Sequence, residues 1–312
     1  MKALHFYSIV FGFSIFIFIL GCQESKPSAQ TISSDKAVLD TYWYQGKAEV
    51  NSYDLQQERY GTIRPGHAIL IFVTEDFLTD KQVKNESYTD KQSTLVLKHN
   101  LIRRFTTGLY DYSLMSSVFS PLYNISKPNA LKITTTLQDW CGTSSVQLNK
   151  RDEKWKVSLR SYFEKENDQD FNIDNVYTED ELLNLIRIAP GKLPIGNIEV
   201  LPMLQSALML HWPITANQVK ASLKDYKGTD FKAKNLRVYT LEFMAINRSV
   251  SYIFERESPY KIVGWTETYN GKDGKVLTTK ATIHNSSLEA YWTENKPGNE
   301  KMRAPFGIEN GY

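Results

Sequence analysis

Of 312 residues, 41% are hydrophobic, 23% charged and 12% aromatic, which is enough apolar material for one large β domain or two smaller ones. The 37 basic and 35 acidic residues nearly cancel to +2, excluding the basic footprint of a nucleic-acid binder. Two cysteines exclude a disulfide scaffold or cysteine-rich zinc module, and a mean hydropathy of -0.40 excludes a multi-span membrane protein.

From Phe6 to Leu20 the chain is uncharged and almost wholly apolar, about the length of a signal-peptide core and shorter than the ~20 residues that span a bilayer. The run closes on Ile19-Leu20-Gly21-Cys22, which resembles the bacterial lipobox: a small residue at the cleaved bond, then a cysteine whose thiol takes diacylglycerol. Residues 1–21 are therefore read as a lipoprotein signal peptide and Cys22 as the lipidation site. The membrane becomes a partner through acyl chains worth ~0.8 kcal/mol per buried methylene. Residues 22–34, rich in Ser, Gln, Lys and Pro, read as a flexible tether. Gln23, where an aspartate would signal retention, implies the outer membrane by analogy with enterobacterial sorting. The lone acid Glu24 implies its periplasmic face.

From Lys47 onward the period is two. Leu95, Leu97, Leu101 and Phe105 share a face with His99 and Arg103, and after Thr107-Gly108 the alternation returns through Tyr110, Tyr112, Leu114, Val118 and Leu122. Leu131, Ile133, Thr135 and Leu137 repeat it, and Val146 and Leu148 are set to pair with Trp155, Val157 and Leu159. Thr178 and Glu181 form a capping box ahead of Leu182, Leu183, Leu185 and Ile186, so a helix is expected there, stopped by Pro190-Gly191. Short helices are also expected over Ser34–Tyr42 and Gln218–Lys224. Leu236–Phe243, Ser249–Phe254, Lys261–Tyr269 and Val276–Ile283 read as a closing meander. The fold class is mainly β (α+β): long-stranded antiparallel meanders forming one or two curved sheets with a few short helices. The connector Ala189–Gly196 divides an N-terminal β-rich region, 35–190, from a C-terminal meander region, 191–312, which could equally be one continuous domain.

Catalytic signatures are missing: there is no Gly-x-Ser-x-Gly elbow, P-loop or dinucleotide fingerprint, so an enzyme is not the favoured reading and no cofactor is expected. Asp168, Asp170, Asn172, Asp174 and Glu179 follow an EF-hand-like spacing, but Ile173 replaces the turning glycine, and a polar loop capping the next helix explains the same residues. Cys141 reads as a small buried residue at a strand end and His99 as a hydrogen-bonded interior residue. Tyr42, Trp43, Tyr44, Tyr291 and Trp292 read first as core. Tyr110, Tyr112 and Leu114, alternating on one strand, are the expected wall of an apolar ligand site.

The lipobox, Asp139-Trp140-Cys141-Gly142 and Pro259-Tyr260-Lys261-Ile262 together resemble a family of Bacteroidetes lipoproteins over essentially the whole chain. Some members carry the label septum formation inhibitor Maf, which the residues do not support, since the Ser-x-Ser-Pro-Arg-Arg run of Maf pyrophosphatases is missing. The closing meander is more loosely similar to the curved sheet of LolA/LolB carriers. The resemblance implies a lipid-anchored envelope protein. The expected role is non-catalytic binding or carriage of an apolar ligand or envelope component. The alternatives are an assembly scaffold for an envelope protein partner, or a hydrolase of envelope glycan or lipid.

Overall fold

The computed structural model describes residues 41–90, 92–123, 125, 130–270 and 275–309; the segments expected to be signal peptide and tether, with Cys22, lie outside them. Of the helix expected over Ser34–Tyr42, residues 41 and 42 are described and are helical. Nine strands follow in order: β1 (Ala48–Arg59), β2 (Thr62–Leu78), β3 (Val83–Lys84), β4 (Ser93–Thr107), β5 (Tyr110–Pro121), β6 (Lys132–Asp139), β7 (Gly142–Arg151), β8 (Lys154–Ser161) and β9 (Gln169–Asp174). Next come β10 (Tyr177–Thr178), helix α1 (Glu179–Ile188), β11 (Gly196–Leu201), helix α2 (Leu204–Leu210) and β12 (Asn217–Asp225). The chain ends in β13 (Leu236–Phe243), β14 (Arg248–Glu255), β15 (Ile262–Asn270) and β16 (Val276–Glu289), with short 3₁₀ turns beyond.

All sixteen strands belong to one sheet, ordered β10-β11-β12-β13-β14-β15-β16-β1-β2-β4-β5-β6-β7-β8-β9, with β3 attached to β2. Every pairing is antiparallel except β10 with β11. The first strand pairs with the last, Ala48 opposite Glu289, so the two halves of the chain join at the middle of the sheet. Its outer edges, β9 and β10, are separated in sequence only by Asn175 and Val176. Three residues of chain reach ~10 Å at most, so the edges lie side by side and the sheet is rolled upon itself. The Trp155 indole seals this seam by donating to the Val176 carbonyl at 3.2 Å.

The period-two reading places the strands well. On β4, Leu97, His99, Leu101, Arg103 and Phe105 all turn inward and are buried, and Val146 and Leu148 pair with Leu159 and Val157. Three expectations are corrected. Gln218–Lys224 is not a helix but most of β12, with Val219 and Ala221 in the core. The acidic stretch is not a loop but edge strand β9, whose Phe171 and Ile173 turn inward while the polar residues between them face out. Cys141 is exposed in the β6–β7 turn, not buried.

Helices α1 and α2 lie inside the roll. α1 keeps its capping box, with the Thr178 hydroxyl accepting from the Glu181 amide and Glu181 accepting from the Thr178 amide. All ten of its residues are buried, although five are polar. Leu182, Leu183, Leu185 and Ile186 pack against Tyr53, Leu70, Phe72, Tyr252 and Trp265 in one cluster. α2 packs Leu204, Ala207, Leu208 and Met209 against strands β5 to β8 in a second. Both helices of these clusters are thus buried against the inner face of the sheet.

Candidate functional site

Five polar residues of α1 reach the interior, and each meets a partner, as burial requires. Arg187 forms a fork with Glu49 of β1, at 2.5 and 2.6 Å, and its Nε donates to the Pro259 carbonyl at 2.8 Å. The rings of Trp43 and Phe72 flank its guanidinium. Burial pushes the Glu49 carboxyl up, but the Arg187 charge and its hydrogen bonds overcome this and hold it at about 2. Tyr42 and Asn51 also donate to Glu49.

Two turns earlier, Glu179 accepts from both Arg248 amino groups at 2.6 and 2.8 Å, from the Tyr252 hydroxyl at 2.6 Å and from the Met203 amide at 3.0 Å. Arg248 Nε donates to Glu267 at 2.7 Å, and Glu267 also takes the Ser206 hydroxyl at 2.9 Å and faces Arg103 at 3.7 Å. Asp180 accepts from the Leu204 amide, and burial, aided by the neighbouring Glu179 charge, raises its pKa to about 7. His99 meets Asn184 Oδ1 at 3.0 Å, and burial lowers its pKa to about 4, so the imidazole is neutral at pH 7. Arg103, Arg187 and Arg248 thus tie sheet to helices across the interior. Carboxylates converge here, all buried: Glu49, Glu179 and Glu267 are paired with arginines, and Asp180 with the Leu204 amide. A general acid or base must touch the proton it moves.

The expected site residues fall in different places. Tyr112 stacks on Phe105 with ring centroids 4.8 Å apart, and Leu114 packs among Val118, Ile133 and Val146, so both are core. Tyr110 is half-buried and donates to Tyr60 at the rim. Asp170 pairs with Arg160, Asp174 with Lys154, and Asp168 accepts from the Ser161 amide, all outside the roll, whereas Glu179 is inside. The five oxygen donors do not converge, and among the described residues no group of three His, Cys, Asp or Glu could hold a metal.

An open cleft of about 320 Å³ lies on the outer face at the rim that carries the β1–β2, β4–β5 and β6–β7 turns. Arg104, Asp111, Ser113, Gln138, Asp139 and Trp140 line it. Arg104, Ser113 and Gln138 are cross-strand neighbours on β4, β5 and β6, so they form a polar row at one register. The same rim displays Tyr60, Leu109, Tyr162, Met244 and Val276 to solvent. Sequence reasoning singled out Asp139-Trp140-Cys141-Gly142 but not its partners, which only strand register brings together.

Fold and site together define a large rolled antiparallel β protein with two helices buried against its inner face and an open polar cleft outside. No protein-family profile and no curated protein matches the chain. Among solved structures it is similar to a beta-barrel-like protein of domain of unknown function DUF1849 from Brucella abortus, at 9% identity and a TM-score of 0.47, over 78% of this chain and 98% of that one. Similarity at that level carries nothing about activity. No helix among the described residues is long and apolar enough to cross a membrane.

Proposed function

We propose that this chain is a lipid-anchored envelope protein of the Bacteroidetes lipoprotein kind. It is a non-catalytic binding scaffold that engages its ligand or partner on the outside of the roll. Cys22 carries the lipid, and the anchorage is the periplasmic face of the outer membrane. The observation that carries the binding reading is the interior itself. α1 is buried along its whole length and Glu49, Arg103, Arg187, Arg248 and Glu267 are mutually satisfied there, which leaves binding to the outer surface. A carrier of an apolar molecule needs an apolar space of ~300 Å³ or more, and uncovering this network to make one would strand buried charges. The scaffold form of the binding role is therefore preferred over carriage, and hydrolysis is disfavoured because the converging carboxylates are sealed.

Solvent extraction of protein purified from its native host, followed by mass spectrometry, tests this. The scaffold reading expects no lipid beyond the acyl chains on Cys22; one apolar molecule per chain would restore the carrier. Cys22→Ala tests the anchor and should give an uncleaved precursor without acyl label. Unchanged labelling would remove the lipoprotein assignment.

A further inference from the structure

We propose that the cleft beside Trp140 binds the pyranose rings of a neutral glycan. This rests on the scaffold reading only in taking the outer surface as the working one. Trp140 occupies the first position of the two-residue β6–β7 turn and is 66% exposed, a large apolar surface left in water. Its turn is rigid. The Asp139 carboxylate accepts from the Cys141 and Gly142 amides at 2.7 and 3.1 Å, and the Tyr162 ring lies so close that a Cβ on Gly142 would come within 2.9 Å of it. The backbone that carries the indole is thus held in place at the edge of the cleft.

The floor is the cross-strand row Arg104, Ser113 and Gln138, joined by Asp111, whose carboxylate is steadied by the Thr106 hydroxyl at 2.8 Å. A guanidinium, an amide, a hydroxyl and carboxylates offer donors and acceptors at the spacing of neighbouring strands, suited to vicinal hydroxyls, each of which donates and accepts. The apolar C–H face of a pyranose is what an exposed indole covers. About 320 Å³ is the lower end of ligand-site volume, fitting a ring or two of an extended chain. The charges choose among ligands. One guanidinium shares the cleft with the carboxylates of Asp111 and Asp139, so phosphate or polyanion binding is opposed, and the polar floor opposes a lipid tail. The row sits on strands and needs no rearrangement to receive a ligand.

The test uses the full chain in a polyoxyethylene detergent, since sugar-headed detergents would compete. It is passed over immobilised neutral oligosaccharides, and a retained one is then titrated. Expected is retention on pyranose-bearing glycans, at least tenfold weaker in Trp140→Ala, severalfold weaker in Gln138→Ala, and within severalfold of wild type in Trp140→Phe, which keeps an aromatic face. Met244→Ala, on the same rim outside the cleft, should bind as wild type. All variants should share the wild-type urea midpoint, because the substituted side chains lie at the surface. No retention, retention of anionic glycans alone, or retention that Trp140→Ala leaves unchanged would overturn the proposal. Lipid extraction reports on the scaffold reading separately, so the two can fail independently.

Discussion

Replacing Arg187 by Met keeps most of the volume of the side chain and deletes only its charge and its hydrogen bonds. Glu49 would then keep the Tyr42 hydroxyl and the Asn51 amide but lose a two-pronged partner at 2.5 and 2.6 Å, in a place with no solvent. Removing one member of a buried pair costs ~3–5 kcal/mol, because the remaining charge is stranded. A second route gives a similar size. Glu49 is held at about 2 against an ordinary 4.5, and at ~1.4 kcal/mol per unit this is about 3 kcal/mol of native-state preference for the ionised form. The sign follows: the folded pKa is depressed, so this stability is present above pH 4.5 and is lost as pH falls through about 2. Urea unfolding followed by tryptophan fluorescence should show Arg187→Met lowering stability by about 3–4 kcal/mol at pH 7. Glu49→Gln combined with Arg187→Met should recover part of that, giving a coupling energy of ~2 kcal/mol or more. A cost below ~1 kcal/mol, or additive single variants, would show that the fork is not what joins α1 to β1.

Asp180→Asn should reverse a pH slope. The folded pKa of Asp180, about 7, lies above its unfolded value, so its contribution is full below that unfolded value and is lost as pH rises through 7. Between pH 5 and 8 the Asn variant should therefore gain on wild type by on the order of 2 kcal/mol, and parallel urea midpoints at the two pH values would refute this. His99 shows the opposite linkage. Its folded pKa is depressed to about 4, so stability present above pH 6.5 is lost as pH falls through 4, and His99→Gln should flatten that limb of an acid titration followed by fluorescence. Gly66→Ala would place a Cβ 2.3 Å from the Arg104 carbonyl in the middle of the sheet. An overpacking cost of ~1–3 kcal/mol is expected in urea, and a neutral result would mean β2 and β4 can part there. Millimolar calcium should leave the melting temperature unchanged; a rise abolished by Asp170→Ala would show a cation on β9 after all.

Much of the fold was legible because one face of each strand is buried, which writes a period of two into the residues. The α1 cap was legible for the same local reason, a Thr and a Glu three apart. The errors have physical causes. Gln218–Lys224 combines Lys, Ala, Ser and Gln, which tolerate helices, and the alternation of Val219, Ala221 and Leu223 was the overriding signal. On β9 the alternating acids that resembled calcium ligands are the solvent face of an edge strand, where charge discourages pairing with another chain. The interior network was not legible. Glu49 and Arg187 are far apart in sequence, as are Glu179 and Arg248, and α1 looks amphipathic although it has no wet face. Of the cleft, the Trp140 turn was visible as an unusual motif, whereas Arg104, Ser113 and Gln138 became neighbours only through register.

The pairing of β1 with β16 sets an order of manufacture. A ribosome makes Ala48 long before Glu289, yet these residues face each other at the centre of the finished sheet. Throughout synthesis β1 can hydrogen-bond to β2 on one side only, and its other edge stays a bare template for any passing strand. Contacts that join the two ends of a chain also close slowly, because the whole intervening loop must be gathered first. Until β16 is made, that edge is the place where a misplaced strand could add. A chain stopped before β16 would leave the edge of β1 that β16 covers without its partner strand.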